Sequence, residues 1–397
     1  MLPPEYLMNA SSDVVYVYTK AEQAIVEDIA KRIVKTGRMT DTASFQLEKA
    51  RQFGMLNGDV EKILSEATKK SRKEVRKIIS KSGTKALAYD DSIYKAAGLS
   101  PSPVAESPAL KSVLLQGTNS TLQLVGNYTR TTAQMSKLAY LNSLDQAFIQ
   151  ASSGAMSPNR AISQAIKQVA QNGIEKVAYP SGGYRSVESS IRTAVSTGLN
   201  QAVAKLQLYR MDEMGCELVE TTSHAGARPT HAEWQGRVFC IKGNHKFYGD
   251  FYRETGYGSG EGLCGWNCYH SFFPYFEGLS TRSFSPDPAA DAGRDNDEEY
   301  LLQQKQRYYE RQVRSAKKEC GVYNSAMEAT KDEELRNELY DEFQKASVKL
   351  KRREAKLEEF ISQSGNVRER EREQTASWNR SVSSKAVWAN RKYQNNR

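Results

Sequence analysis

The side chains in this sequence that are equipped for chemistry crowd into one stretch. All four histidines (His224, His231, His245, His270) and three of the five cysteines (Cys240, Cys264, Cys268) lie between residues 224 and 270; Cys216 stands just before them and Cys320 is remote. Imidazole nitrogen and thiolate sulfur are the donors that zinc takes in tetrahedral sites. His224, His231, Cys264, Cys268 and His270 are therefore the candidate ligands, and zinc the candidate metal. The spacing C-x3-C-x-H differs from the C-x2-C knuckle. The competing reading is a polar core in which these groups hydrogen-bond the loop backbone.

Two other chemistries could use the same stretch. A nucleophilic site needs a cysteine beside a histidine with a third orienting group. Cys268 and His270 are two residues apart, but the sequence does not show that they meet, so no catalytic residue is assigned. Gly256-Tyr257-Gly258-Ser259-Gly260-Glu261-Gly262 resembles a phosphate-binding loop in glycine content only. No Lys-Ser follows it and no strand-then-helix pattern flanks it, so it reads as a structural loop with positive φ angles.

The elements that must position these residues are mostly helical. Thr19-Lys20-Ala21-Glu22 has the form of a capping box before Ile25, Ile29 and Ile33, with Gly37 as a stop. Asp41 to Phe53, ended by Gly54, predicts a second helix. Asn57-Gly58-Asp59 predicts a turn opening a third, and Ser71-Arg72-Lys73-Glu74 a further capping box. Ser100-Pro101-Ser102-Pro103 and Ser107-Pro108 break the pattern. Ser157-Pro158 starts a helix that Gly173 ends, and Tyr179 to Gly183 predicts a turn. Val187 to Leu206 predicts a longer helix whose interior Gly198 marks a close packing contact. Cys216–Glu220 and Arg237–Ile241 read as short strands. Ser285 to Asp297 is a polar linker. Beyond it Leu339, Phe343, Ala346, Leu350, Leu357 and Phe360 step by three and four, with Arg353 at the missing position. That pattern fits either a coiled-coil seam or one amphipathic helix packed on its own subunit.

The expected fold is mainly α: helical N-terminal arms, a small loop-rich α+β module, and a charged helical C-terminal segment with coiled-coil tendency. The segments are 1–103, 104–212, 213–282 and 283–397. Fifty-six Lys and Arg against 47 Asp and Glu leave a net charge of +9 over 397 residues. That excess permits a nucleic-acid neighbour without requiring one. Hydrophobic content of 39% and a mean hydropathy of −0.66 are low for one compact globule and fit helices with wide solvated faces. No apolar run is long enough to span a membrane, and the first residues lack the pattern of a secretory signal, so a product made and kept on the cytoplasmic side is expected.

Two strings are idiosyncratic enough to carry a family resemblance. One runs from Thr221 to Phe239 and contains His224, Arg228, His231, Trp234 and Gly236; the other runs from Thr255 to His270 and contains Cys264, Trp266, Asn267, Cys268 and His270. Both resemble signature blocks of the phage minor capsid protein 2 family. More distantly they are similar to the Mu F-like head-morphogenesis module, in which an H…R-x-x-H segment precedes N-C-x-C or N-C-x-H. The resemblance extends over roughly residues 10 to 280. It departs at Tyr269, where the family usually carries arginine.

The resemblance implies a non-enzymatic virion component inside the head near the portal vertex, serving assembly and DNA packaging or delivery. The partners implied are the portal protein, packaged double-stranded DNA, and scaffold or major capsid protein; self-association through 339–360 follows from the seam. In the tail, Arg368, Arg370 and Arg372 are offset by Glu369, Glu371 and Glu373. Arg380, Lys385, Arg391, Lys392 and Arg397, interleaved with Trp388 and Tyr393, are the DNA-contact candidates. Two alternatives stand beside this reading. One is a metal-dependent hydrolase or nuclease with His224, His231 and Glu233 near a metal. The other is a plain DNA-binding accessory protein.

Overall fold

A computed structural model of the chain describes residues 1–37, 41–174, 177–178 and 184–395. Its helices are α1 (Pro4–Asn9), α2 (Ser12–Thr36), α3 (Thr42–Ala96), α4 (Pro108–Ser152), α5 (Pro158–Asn172), α6 (Val187–Glu213), α7 (Pro229–Ala232), α8 (Phe251–Thr255), α9 (Pro288–Asp291), α10 (Asn296–Ala329), α11 (Glu333–Ser364) and α12 (Arg380–Asn395). The strands are β1 (Val177–Ala178), β2 (Tyr184–Arg185), β3 (Leu218–Thr221), β4 (Val238–Cys240), β5 (Gly249–Asp250) and β6 (Phe272–Tyr275). The fold is mainly α, with few strands.

The contacts group the chain into two compact units, each built from three separated segments. The first comprises Met1–Val15, Lys70–Asn127 and Ser189–Gln304, and the second Tyr16–Lys69, Tyr128–Glu188 and Lys305–Arg397. The four linear segments read from the sequence and these two units are different partitions of the chain.

In the first unit, α6 lies against α4 at small residues. A Cβ built on Gly198 would sit 3.0 Å from Thr121 Cβ and closer still to its hydroxyl, and one built on Gly117 would strike Ala202. The predicted close contact at Gly198 is therefore present. The sheet has the order β5-β4-β3-β6, with β3 antiparallel to both β4 and β6, and β4 parallel to β5. Its side chains alternate as a pleat requires. Val219 and Phe239 enter one apolar cluster with Met211, Phe251 and Phe272, while Leu218, Val238 and Cys240 pack on the other face with Tyr248 and Tyr275. Pro274 is tolerated because β6 is an edge strand.

The second unit has one helical core. Ile25, Ile29 and Ile33 of α2 meet Leu56, Val60 and Leu64 of α3, Ile162 and Ile166 of α5, Val313 and Tyr323 of α10, and Leu339, Phe343 and Leu350 of α11. Val382, Ala386 and Ala389 of α12 close it. The Leu339–Phe360 stripe is thus covered by its own chain. This is the packed-helix alternative, and the coiled-coil and self-association reading of 339–360 is corrected accordingly.

Three local expectations also change. Helix α2 begins at Ser12, so the Thr19–Glu22 capping box lies inside it. There the Thr19 hydroxyl donates back to the Tyr16 carbonyl and Glu22 accepts from Lys318 Nζ at 2.9 Å. Helix α3 runs unbroken through Gly54, Asn57-Gly58-Asp59 and Ser71-Glu74. Gly54 and Gly58 disfavour that by about 1 kcal/mol each. The buried series Phe45, Leu56, Val60, Leu64 and Ala67 keeps helical spacing across them and overrides the local preference. The buried Arg32 guanidinium adds a clamp, donating to Asp28 at 2.7 Å, to Gln52 at 2.9 Å and to Asp59 at 2.5 Å. Elsewhere the expectations match: Ser157 caps α5 by accepting from the Arg160 amide, with Gly173 at its end, and α3 stops at Ala96 before the proline-rich break. The turn expected at Tyr179–Gly183 lies outside the described residues.

Candidate functional site

Three segments of the first unit bring the histidines and cysteines together. His231 lies in the short helix α7, which Pro229 opens at its first turn. Cys268 and His270 lie just before β6, at the end of the glycine-rich loop. That loop folds on itself: the Leu263 amide donates to Thr255 O, Gly265 to Gly262 O and Trp266 to Gly260 O. Gly256 and Gly258 have φ of +61° and +98°, as a structural loop requires, and the non-glycine residues Cys264 and Asn267 also take left-handed φ values. Asn200 of α6 then donates to both Cys268 O (3.1 Å) and His270 O (2.9 Å), pinning the segment to the helix.

The donor atoms of His231, Cys268 and His270 all lie within 4.8 Å of one another. Cys268 Sγ is 3.9 Å from His231 Nδ1 and 3.6 Å from His270 Nδ1. The far nitrogens are tied down: His231 Nε2 donates to Glu261 O at 2.8 Å, and His270 Nε2 to Gln235 Oε1 at 3.0 Å. All three side chains are buried. Burial lowers the pKa of His231, and that of His270 still more, keeping both rings neutral; it pushes the Cys268 thiol up to about 11. A buried thiol of raised pKa is inert as a nucleophile.

Of the five candidate ligands, His224 and Cys264 stand beside the trio rather than in it. The His224 ring stacks on His270 with centroids 4.5 Å apart, and its Nδ1 lies 3.0 Å from Ala225 O. The Cys264 thiol is directed at the His270 carbonyl, 3.9 Å away. Glu233, which a hydrolase would need next to His224 and His231, is exposed and outside the cluster. His245 sits apart, stacked on Tyr248.

The other signature residues build the walls. The Trp234 ring lies 4.8 Å from both His231 and His270, and its carbonyl accepts from Thr221 Oγ1 at 3.0 Å. Arg228 donates to Trp266 O at 2.7 Å, joining the two signature strings. Gly236 has φ of +62°, and a Cβ there would collide with the backbone of Ser285 and Pro286. Asn267 donates to Thr193 Oγ1 at 3.0 Å, and the Trp266 ring covers Gly260. The Tyr269 ring lies 6.4 Å from the His224 ring.

A second surface lies in the other unit. The tail forms a single 3-10 turn and then α12, which packs on α11. Arg368 pairs with Glu373 at 2.6 Å and Arg372 with Glu369 at 2.7 Å, so two of the three expected cancellations are ion pairs. Among the DNA-contact candidates, Lys385 binds Asn324 Oδ1 at 2.7 Å and Lys392 lies 5.3 Å from the Tyr340 ring centre. Arg380 and Arg391 are exposed, and Arg397 lies outside the described residues. The sequence reading missed the neighbouring face of α11. Lys345, Lys349, Arg352 and Lys356, together with Arg353, Val348 and Tyr393 of α12, line an open groove. Lys345 and Lys349 pair with Glu342 and Glu319, whereas Arg352 and Lys356 make no ion pair among the described residues. The signal was present, since positions 345, 349, 352 and 356 step by four, three and four, as one helix face requires.

Comparison with known proteins gives this architecture a class. The chain is 26% identical over 300 residues to a structural protein of Lactococcus phage LL-H, covering 70% of this chain and 79% of that one. It is 41% identical over 64 residues to a structural protein of Lactococcus phage mv4, covering 16% of this chain and 49% of that one. These are phage structural proteins. More specifically, the family described as phage minor capsid protein 2 matches residues 2–362, and the chain belongs to that family. No solved structure matches it.

Proposed function

We propose that this minor capsid protein resides inside the phage head near the portal vertex, contacts the portal protein, and lies against packaged DNA through the α11–α12 groove. Membership of the family over residues 2–362 is the observation that supports the head component reading. The groove supports the DNA contact: two basic side chains without ion-pair partners among the described residues stand beside an aromatic ring, in a segment from Lys345 to Lys356 whose one acid is Glu354. Phosphate neutralisation with ring stacking is sequence-independent, as packaged genomes demand. Scaffold or major capsid protein is the further partner to be sought in the procapsid.

The location is tested by mild disruption of virions followed by affinity capture of this chain. Recovery of the portal protein is the expected result; recovery of tail or major capsid protein without portal contradicts it. The DNA contact is tested by titrating duplex DNA at several salt concentrations with the full chain and with Arg352→Ala/Lys356→Ala. The double variant should bind more weakly and lower the slope of log affinity against log salt by about 2. Equal slopes would remove the groove from the reading.

A further inference from the structure

The trio of His231, Cys268 and His270 is short of one proton as a hydrogen-bonded cluster. A carbonyl oxygen only accepts, so the nitrogen 2.8 Å from Glu261 O must be the protonated Nε2 of His231. The same holds for His270 Nε2 against Gln235 Oε1, provided that the Gln235 amide is correctly oriented. It is, because the His224 backbone amide donates to that same Oε1 at 3.1 Å and the Gln235 nitrogen faces Pro286 O at 3.5 Å. Neutral imidazole carries a single N–H. Both Nδ1 atoms are therefore bare lone pairs, and both face Cys268 Sγ.

One thiol has one hydrogen and serves one of them. The other Nδ1 would be a buried acceptor with no donor among the described residues, which costs about 1–3 kcal/mol. Moving the thiol proton onto one ring does not fill the gap, because the sulfur and the two Nδ1 atoms still share a single proton, and taking up a further proton would put a net charge on three buried side chains. A hydrogen-bonded core thus leaves the trio one donor short.

We propose that a zinc ion completes it, bound by His231 Nδ1, His270 Nδ1 and Cys268 Sγ. In a tetrahedral site with Zn–N of about 2.0 Å and Zn–S of about 2.3 Å, neighbouring N and S donors are about 3.6 Å apart. The observed separations from sulfur are 3.6 and 3.9 Å. The outward nitrogens already have the carbonyl and amide partners that fix a metal-binding imidazole's tautomer and direction. Binding releases the Cys268 thiol proton to solvent and forms three metal–ligand bonds; neither ring loses a proton. The ion joins α7 to the segment before β6, and its fourth tetrahedral position falls to a non-protein ligand such as water. This assignment is independent of where the chain sits in the virion.

The test uses the full chain, produced with zinc present and purified without chelator, with metal measured by mass spectrometry. About one zinc per chain is expected for the native protein and for Cys320→Ser and Cys240→Ser, which change thiols outside the trio. Cys268→Ser should lose most of it. Because that variant could also lose its fold, cobalt(II) is added to metal-free native chain and to Cys268→Ser, with circular dichroism recorded on both. The native chain should show thiolate-to-cobalt charge-transfer absorption and the folded variant should not. A folded native chain that takes up neither metal would overturn the proposal. So would charge transfer that survives Cys268→Ser and disappears instead in Cys264→Ser.

Discussion

Gln235 Oε1 receives His270 Nε2–H at 3.0 Å and the His224 backbone N–H at 3.1 Å, so one amide oxygen ties the loop following β3 to the segment that leads into β6. Removing it frees the His270 ring to turn. Gln235→Leu keeps the side chain's bulk but removes the acceptor. The expected outcome is a 10- to 100-fold loss of zinc affinity, roughly what loss of an outer partner of a metal-binding histidine brings. Competition against a calibrated chelator measures it, and unchanged affinity would show that Gln235 does not orient the ring.

The α4–α6 contact offers a test of packing in the first unit. Gly198→Ala should improve helix propensity by about 1 kcal/mol, yet its methyl group has no space against Thr121. Net destabilisation of about 1–3 kcal/mol in denaturant unfolding is expected. Thr121→Ala in the same chain should recover most of it, since residues in contact couple. Additive losses in the double variant would place the strain elsewhere.

Phe343 distinguishes an internal core from an oligomeric seam. It is buried against residues of its own chain, and Phe343→Ala should cost about 3–5 kcal/mol. The loss should not depend on protein concentration. A melting temperature that rises with concentration for the native chain but not for the variant would restore the seam.

Helix faces and short strands were legible in the sequence because hydrophobic period is local. The Ile25–Ile33 stripe, the α5 caps and the two runs that became β3 and β4 follow from it directly. The continuity of α3 was not legible. Gly54 and the Asn57-Gly58-Asp59 string are turn signals taken alone, and only the partners of Leu56, Val60 and Arg32 decide against them. At the candidate site, residue types and crowding identified His231, Cys268 and His270. They left His224 and Cys264 undistinguished from them, because which nitrogen faces which sulfur depends on the fold of the glycine-rich loop. The basic face of α11 was hidden by its own apolar stripe, which left only the choice between a coiled-coil seam and a packed helix in view.

Glu220 provides a pH-dependent test. Its Oε1 accepts the Ser283 and Phe284 amides, each at 2.7 Å, while Oε2 is buried without a hydrogen-bond partner among the described residues. Desolvation raises its pKa above the ordinary value of 4.5. The folded state therefore holds this proton more tightly than the unfolded chain. The associated stability is fully present below the unfolded value and is lost as pH rises through the folded one. Glu220→Gln keeps an oxygen for both amides and does not titrate. Urea unfolding across pH should show the stability of Glu220→Gln gaining on the native chain as pH rises from about 4.5 and then levelling. A gap that narrows over that range would reverse the sign.

The most direct measurement of the account is an asymmetric cryo-electron microscopy reconstruction of the virion's portal vertex. The expected result is density on the inner side of the shell, beside the portal, into which the α2–α3–α5–α10–α11–α12 core fits, with the Lys345–Lys356 face toward DNA. Absence of such density there, with the chain found instead on the outer surface or in the tail, would contradict it.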